Sequence, residues 1–76
     1  MQSYAIEHLD FEGLKDASIG KVVPLMVKAL KASKEYKPMK YDSQQVKRGQ
    51  NEIVVDFCLG NRVQFRAKFV PPPPTR

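Results

Sequence analysis

The chain has no tryptophan, one cysteine and one histidine among its 76 residues. A lone cysteine, Cys58, excludes an intrachain disulfide framework. It fits a reducing compartment, so a cytoplasmic location is expected. A Cys–His nucleophilic pair would have to join Cys58 to His8, the only histidine. Cys58 is flanked by Phe57 and Leu59, with no local feature that would activate a thiol. One histidine, one cysteine and scattered carboxylates do not reproduce zinc-ligand spacing. No glycine falls in a phosphate-cradling motif. No enzymatic activity, metal or cofactor is therefore expected. The longest apolar run is far too short to cross a bilayer. Met1–Phe11 carries acidic residues without a continuous apolar stretch, so no signal peptide is expected.

What is present is organised around Ile53–Phe69. Val63, Phe65, Ala67 and Phe69 alternate with Arg62, Gln64, Arg66 and Lys68. That period of two is the mark of a half-buried strand. Ile53, Val55, Phe57 and Leu59 share one parity in the preceding run, and Val54, Asp56 and Cys58 the other. Gly60-Asn61 marks a turn. A two-residue loop there would pair Leu59 with Arg62 and Phe57 with Gln64, mixing apolar and charged residues on both faces. A three-residue loop, Gly60-Asn61-Arg62, pairs Leu59 with Val63, Phe57 with Phe65, Val55 with Ala67 and Ile53 with Phe69. It also sets Asp56 opposite Arg66. Burial favours the cleaner register, because a one-residue slip moves every side chain to the other face. The three-residue loop is expected, with Val54, Asp56, Cys58, Gln64, Arg66 and Lys68 on the outer face.

The rest of the chain supplies the other layer. Tyr4–Phe11 fits a short strand, with Tyr4, Ile6 and His8 on one face, or a helical turn opened by Ser3; the strand is favoured. Leu14–Ala17 is read as a connection. Ser18 is a candidate N-cap. Ile19, Val22, Val23, Met26, Ala29 and Leu30 then fall on one helical arc, flanked by Leu25 and Val27. Pro24 either follows a loose first turn or opens the regular helix, which should end near Tyr36, before Lys37-Pro38. Met39–Val46 reads as a weaker strand and Lys47–Asn51 as a polar turn. Pro71–Pro74 must stop the last strand. The expected fold is α+β: a three- to four-stranded antiparallel meander with one helix on one face, in the order β-α-β-β-β. Residues 1–70 form one domain and 71–76 an exposed proline-rich tail. A core this small would gain from homodimerisation.

The net charge is +5, and it is unevenly spread. Residues 1–16 sum to −3 and residues 17–76 to +8. A basic body of this kind attracts nucleic acid, acidic protein or an anionic membrane. Arg66 and Lys68 on the outer hairpin face, Arg62 at the loop, and Lys47 and Arg48 in the adjoining turn form the candidate phosphate contacts. Lys28 and Lys31 on the helix, with Lys21, Lys34 and Lys37, could extend the patch. Helix lysines are also what the wet side of any core-packing helix carries. Phe57, Phe65 and Phe69 fall on the core face, leaving Tyr36, Tyr41 and Tyr4 as candidate stacking platforms. The reading is a small basic binding protein that contacts RNA or DNA backbone with little base readout. The alternative is an adaptor, or an inhibitor of a larger enzyme, docking on an acidic protein through the same hairpin face or a sheet edge.

Two local patterns add little. Pro71-x-x-Pro74-x-Arg76 has the spacing of an SH3-domain ligand. Ile19-Gly20-Lys21 followed by Pro24, Met26, Val27 and Ala29 resembles the opening of Alba-type chromatin proteins. The glycine- and arginine-rich segment and second helix of that family do not follow, so no residue role is carried over.

Overall fold

A computed structural model of the chain describes residues 2–74. The elements run β1 (Gln2–Glu7), α1 (Phe11–Lys15), α2 (Ile19–Ala32), β2 (Ser43–Arg48), β3 (Ile53–Leu59) and β4 (Arg62–Val70). The coarse class is α+β, with both helices before the three-strand run. The four strands form one sheet in the order β1-β4-β3-β2. Among the described residues, no helix is long and apolar enough to cross a membrane.

The sheet is mixed, not a pure antiparallel meander. β2, β3 and β4 pair antiparallel, as short turns require. β1 instead lies parallel to β4, with Tyr4 beside Ala67 and Ile6 beside Phe69. The reason is the connection. After β1 the chain crosses the apolar face through both helices and re-enters at the far edge. A link that long frees β1 from the antiparallel geometry of a hairpin. The Phe65–Phe69 edge of β4 then takes whichever strand matches its apolar parity. Tyr4 and Ile6 do so from β1.

The register of the β3–β4 hairpin reconciles the two competing loops. Ile53, Val55 and Phe57 pair with Phe69, Ala67 and Phe65, and Asp56 pairs with Arg66, as the three-residue loop requires. At the tip, however, Leu59 pairs with Arg62 and Cys58 with Val63. The register shifts between Phe57 and Cys58, leaving Gln64 as the extra residue of a β-bulge. The turn is therefore the two-residue Gly60-Asn61, with Gly60 at φ 62°. Leu59 and Val63 do not pair and are both exposed. The bulge lets the tight turn and the buried register coexist.

The core lies between the helices and one sheet face. It joins Tyr4, Phe11, Leu14, Val22, Met26 and Leu30 to Ile53, Val55, Phe57, Phe65, Ala67 and Phe69. The stretch read as a connection is partly helical, because Phe11 and Leu14, three apart on α1, both reach this core. In α2, Val22, Met26 and Leu30 are buried, whereas Ile19 is exposed. Ser18 is extended and its carbonyl accepts from the Lys21 and Val22 N–H groups, but its side chain makes no capping bond. Helix runs through Pro24. The missing N–H would have bonded the Gly20 carbonyl, and Pro24 sits at an exposed position where water can replace it. α2 stops at Ala32, a turn short of Tyr36.

Strand β2 begins later than expected, at Ser43, so Lys47 and Arg48 end a strand instead of lining a turn. Met39 and Tyr41 precede it. Asp42 pins this entry to the hairpin tip: its N–H donates to the Cys58 carbonyl at 2.8 Å, and its carboxylate accepts from the Gly60 N–H at 3.2 Å. In the tail, Pro71 and Pro72 are half-buried and Pro73 and Pro74 exposed. Arg76, which completes the SH3-ligand spacing, lies outside the described residues.

A Cβ at Gly60 would meet nothing within 4 Å, so substitution there acts through backbone conformation alone. Gly60→Ala should cost about 1–2 kcal/mol in urea denaturation, and Gly60→Asn distinctly less. Equal, negligible losses would show that the positive-φ turn does not hold the tip register.

Candidate nucleic-acid interface

The sheet has two unlike faces. The helices cover one. The other carries Ser3, Ala5 and Glu7 from β1, Arg66, Lys68 and Val70 from β4, Val54, Asp56 and Cys58 from β3, and Ser43, Gln45 and Lys47 from β2, by strand parity and register. No aromatic residue stands among these. The expected outer hairpin face is thus real, and it forms the middle of an open four-stranded surface.

Its centre is Asp56, only 1% exposed although no helix covers it. Arg66 Nε donates to Asp56 Oδ1 at 2.6 Å and Arg66 Nη2 to Oδ2 at 3.3 Å. Lys47 Nζ approaches Oδ2 from β2 at 3.5 Å. The two cations close over the carboxylate from both neighbouring strands and exclude water from it. The Arg66 hydrogen bonds, then the nearby charges of Arg66 and Lys47, hold the Asp56 carboxyl below its ordinary range, against the opposing effect of burial. The same contact raises the Arg66 guanidinium further. Val54 and Cys58 flank Asp56 along β3 and are also buried. Cys58 stands on the outer face as expected, but buried there, and its Sγ–H points to the Asp56 carbonyl at 3.8 Å.

Two of the other expected contacts, Lys68 and Arg48, are also engaged. Lys68 Nζ lies 3.6 Å from Glu52 Oε1. Arg48 does not share a face with Lys47, because adjacent strand residues point opposite ways. It lies at the exposed edge on the helix side and donates to the carbonyls of Lys15, at 3.2 Å, and Ala17. Lys15 is the last residue of α1, where a cation is favoured, and Ala17 lies in the link to α2. Arg48 thus fastens the α1–α2 junction to the β2 edge. Arg62 sits at the hairpin tip, exposed. Lys28 and Lys31 are exposed on α2, across the sheet from Arg66, Lys68 and Lys47. The structure therefore brings Lys47, Arg66 and Lys68 together, with carboxylates among them. It leaves Arg62 at one end and the helix lysines on the opposite layer.

The tyrosines are drawn inward. Phe57 and Phe65 stack at 4.5 Å between centroids, 10° from parallel. Tyr41 packs edge-on against Phe57 at 4.9 Å, and Tyr36 lies 5.8 Å from Phe65. Tyr4 is buried, and its hydroxyl accepts from the Lys37 N–H at 3.3 Å. Burial, then the neighbouring Tyr41 and Tyr4 phenols, raise the Tyr36 phenol. Tyr36 and Tyr41 are half-buried. Tyr4 is no stacking platform.

Lys21, Lys28, Lys31, Lys34, Lys37 and Lys40 form the feature that sequence patterning underweighted. Residues 19–40 hold these six lysines and one acid, Glu35, which equals the net charge of the whole chain. Among the described residues, none of the six enters an ion pair. A charge sum over this window alone would have exposed it. His8 and Cys58 do not meet: His8 packs edge-on against Phe69 at 5.2 Å, at the end of the sheet far from the hairpin tip. Among the described residues, no cluster of three or more His, Cys, Asp or Glu could hold a metal ion. Compared with protein-family models, with curated proteins and with solved structures, the chain has no significant match.

Asp56→Asn keeps the shape and removes the charge. It should cost about 1–3 kcal/mol by urea denaturation at neutral pH. Because the folded carboxyl titrates below its ordinary 3.8, its contribution is complete well above that value. It declines as pH falls below 3.8 and is gone once pH passes the lower folded value. The wild type should lose this increment on acidification and the variant should not. Parallel acid profiles for the two proteins would refute the role given to Asp56.

Proposed function

We propose that this is a small, basic, non-enzymatic binding protein whose partner is RNA or DNA, held through its phosphates. The observation that carries this reading is the set of six lysines in residues 19–40, three on α2 and three in the chain that follows it; the window equals the whole chain in net charge, and the lysines are free of ion pairs among the described residues. Unpaired lysines neutralise phosphates and release counterions, a term indifferent to sequence. Lys28 and Lys31 are the central contacts, with Lys21 on the same helix and Lys34, Lys37 and Lys40 adding charge.

The hairpin cations take a second place. Arg66, Lys47 and Lys68 must each leave or share a carboxylate to meet a phosphate. Arg62 at the tip carries no such restraint among the described residues. With no aromatic residue, the open face favours backbone contact over base reading.

Binding should fall steeply with salt. About four phosphate contacts on a single strand predict roughly a fifty-fold loss between about 50 and 200 mM monovalent salt, read by fluorescence anisotropy with labelled RNA and DNA. The double reversal Lys28→Glu with Lys31→Glu should abolish most low-salt binding, with circular dichroism confirming the fold. A curve indifferent to salt, or to this reversal, overturns the reading.

A further inference from the structure

A groove of about 510 Å³ lies between α2 and the β2 edge of the sheet. Val23, Pro24 and Val27 of α2 form its apolar wall, and Tyr41 faces them from the chain entering β2. Gln44 stands on β2, whose other edge is unpaired among the described residues. Lys28 and Lys31 complete the lining.

We propose that this groove receives an unpaired nucleotide of single-stranded RNA or DNA, with the base against Tyr41 and the aliphatic wall and the phosphates on Lys28 and Lys31. The proposal rests on the phosphate-binding reading above and names the form of nucleic acid. Tyr41 is suited to the role because it is half-buried. Its ring is held edge-on by Phe57 at 4.9 Å and Phe65 at 6.0 Å, so a stacking partner would find it already positioned. Base–aromatic stacking tolerates any base. The Gln44 amide can donate to and accept from a base edge. The groove is complementary in charge to a polyanion: two cations line it and no carboxylate does. A duplex keeps its base faces stacked inside and cannot fill an apolar groove with them.

The test compares a labelled oligothymidylate, an oligouridylate and a duplex of equal length by anisotropy at one salt concentration. Single strands should bind at least about tenfold more tightly than the duplex, and Tyr41→Leu should weaken them about tenfold. Gln44→Glu places a negative charge in the groove at an exposed edge position and should produce a similar loss, which keeps the test decisive if the tyrosine variant is misfolded. Equal affinity for single strand and duplex, with both variants like wild type, overturns the groove while leaving the lysines of residues 19–40 as phosphate contacts. No binding of any nucleic acid at low salt removes the functional reading and this proposal together. Tighter binding of an acidic peptide such as oligoglutamate, lost in Gln44→Glu, assigns the groove to protein and also overturns it.

Discussion

The face-to-face stack of Phe57 on Phe65 couples the two central strands, and most of the molecule is arranged by it. Rings 4.5 Å apart and nearly parallel fix which residues of β3 and β4 stand opposite one another. With that pairing set, Asp56 must lie beside Arg66 and Ile53 beside Phe69. The tight turn at Gly60-Asn61 has the wrong count for this pairing, and the bulge at Gln64 absorbs the mismatch. Tyr41, Tyr36 and Tyr4 then gather around the same pair. A core of so few residues spends its aromatics on cohesion, and little aromatic surface is left outside it.

The charge pattern follows from the same geometry. A carboxylate at the centre of an uncovered sheet face would ordinarily be hydrated. Here Arg66 and Lys47 reach across from both neighbouring strands and bury it. Exposed ion pairs contribute little to stability, but this carboxylate is enclosed, so its partners are held and are less available to an external anion. Arg48 is committed to the end of α1, and Lys68 to Glu52. Among the described residues, the positive charge left without an ion-pair partner lies mainly on α2 and the chain that follows it, with Arg62 at the hairpin tip.

The hairpin, the apolar arc of α2 and the pairing of Asp56 with Arg66 were legible because alternation and helical period are local properties of the chain. The parallel docking of β1 was not, since no short turn joins it to β4 and its partner is chosen by the complementary edge left after the helices cross. The length of β2 was obscured by its polar composition: only Val46 among Ser43–Arg48 is half-buried. Lys47 and Arg48 read as one basic pair, yet strand geometry sends them to opposite faces. The helical turn at Phe11–Lys15 was hidden because two buried residues make too short a period to recognise.

By itself the sequence determined an α+β chain with a greasy-and-charged hairpin, a basic body and an aromatic core, because periodicity dictates which side of each element is buried. Only the tertiary structure decided which charges remain unpaired and where the sheet is left unroofed. Those outcomes depend on side chains brought together across strands and layers, and on where the helices cross the sheet, neither of which is written in any local stretch of residues.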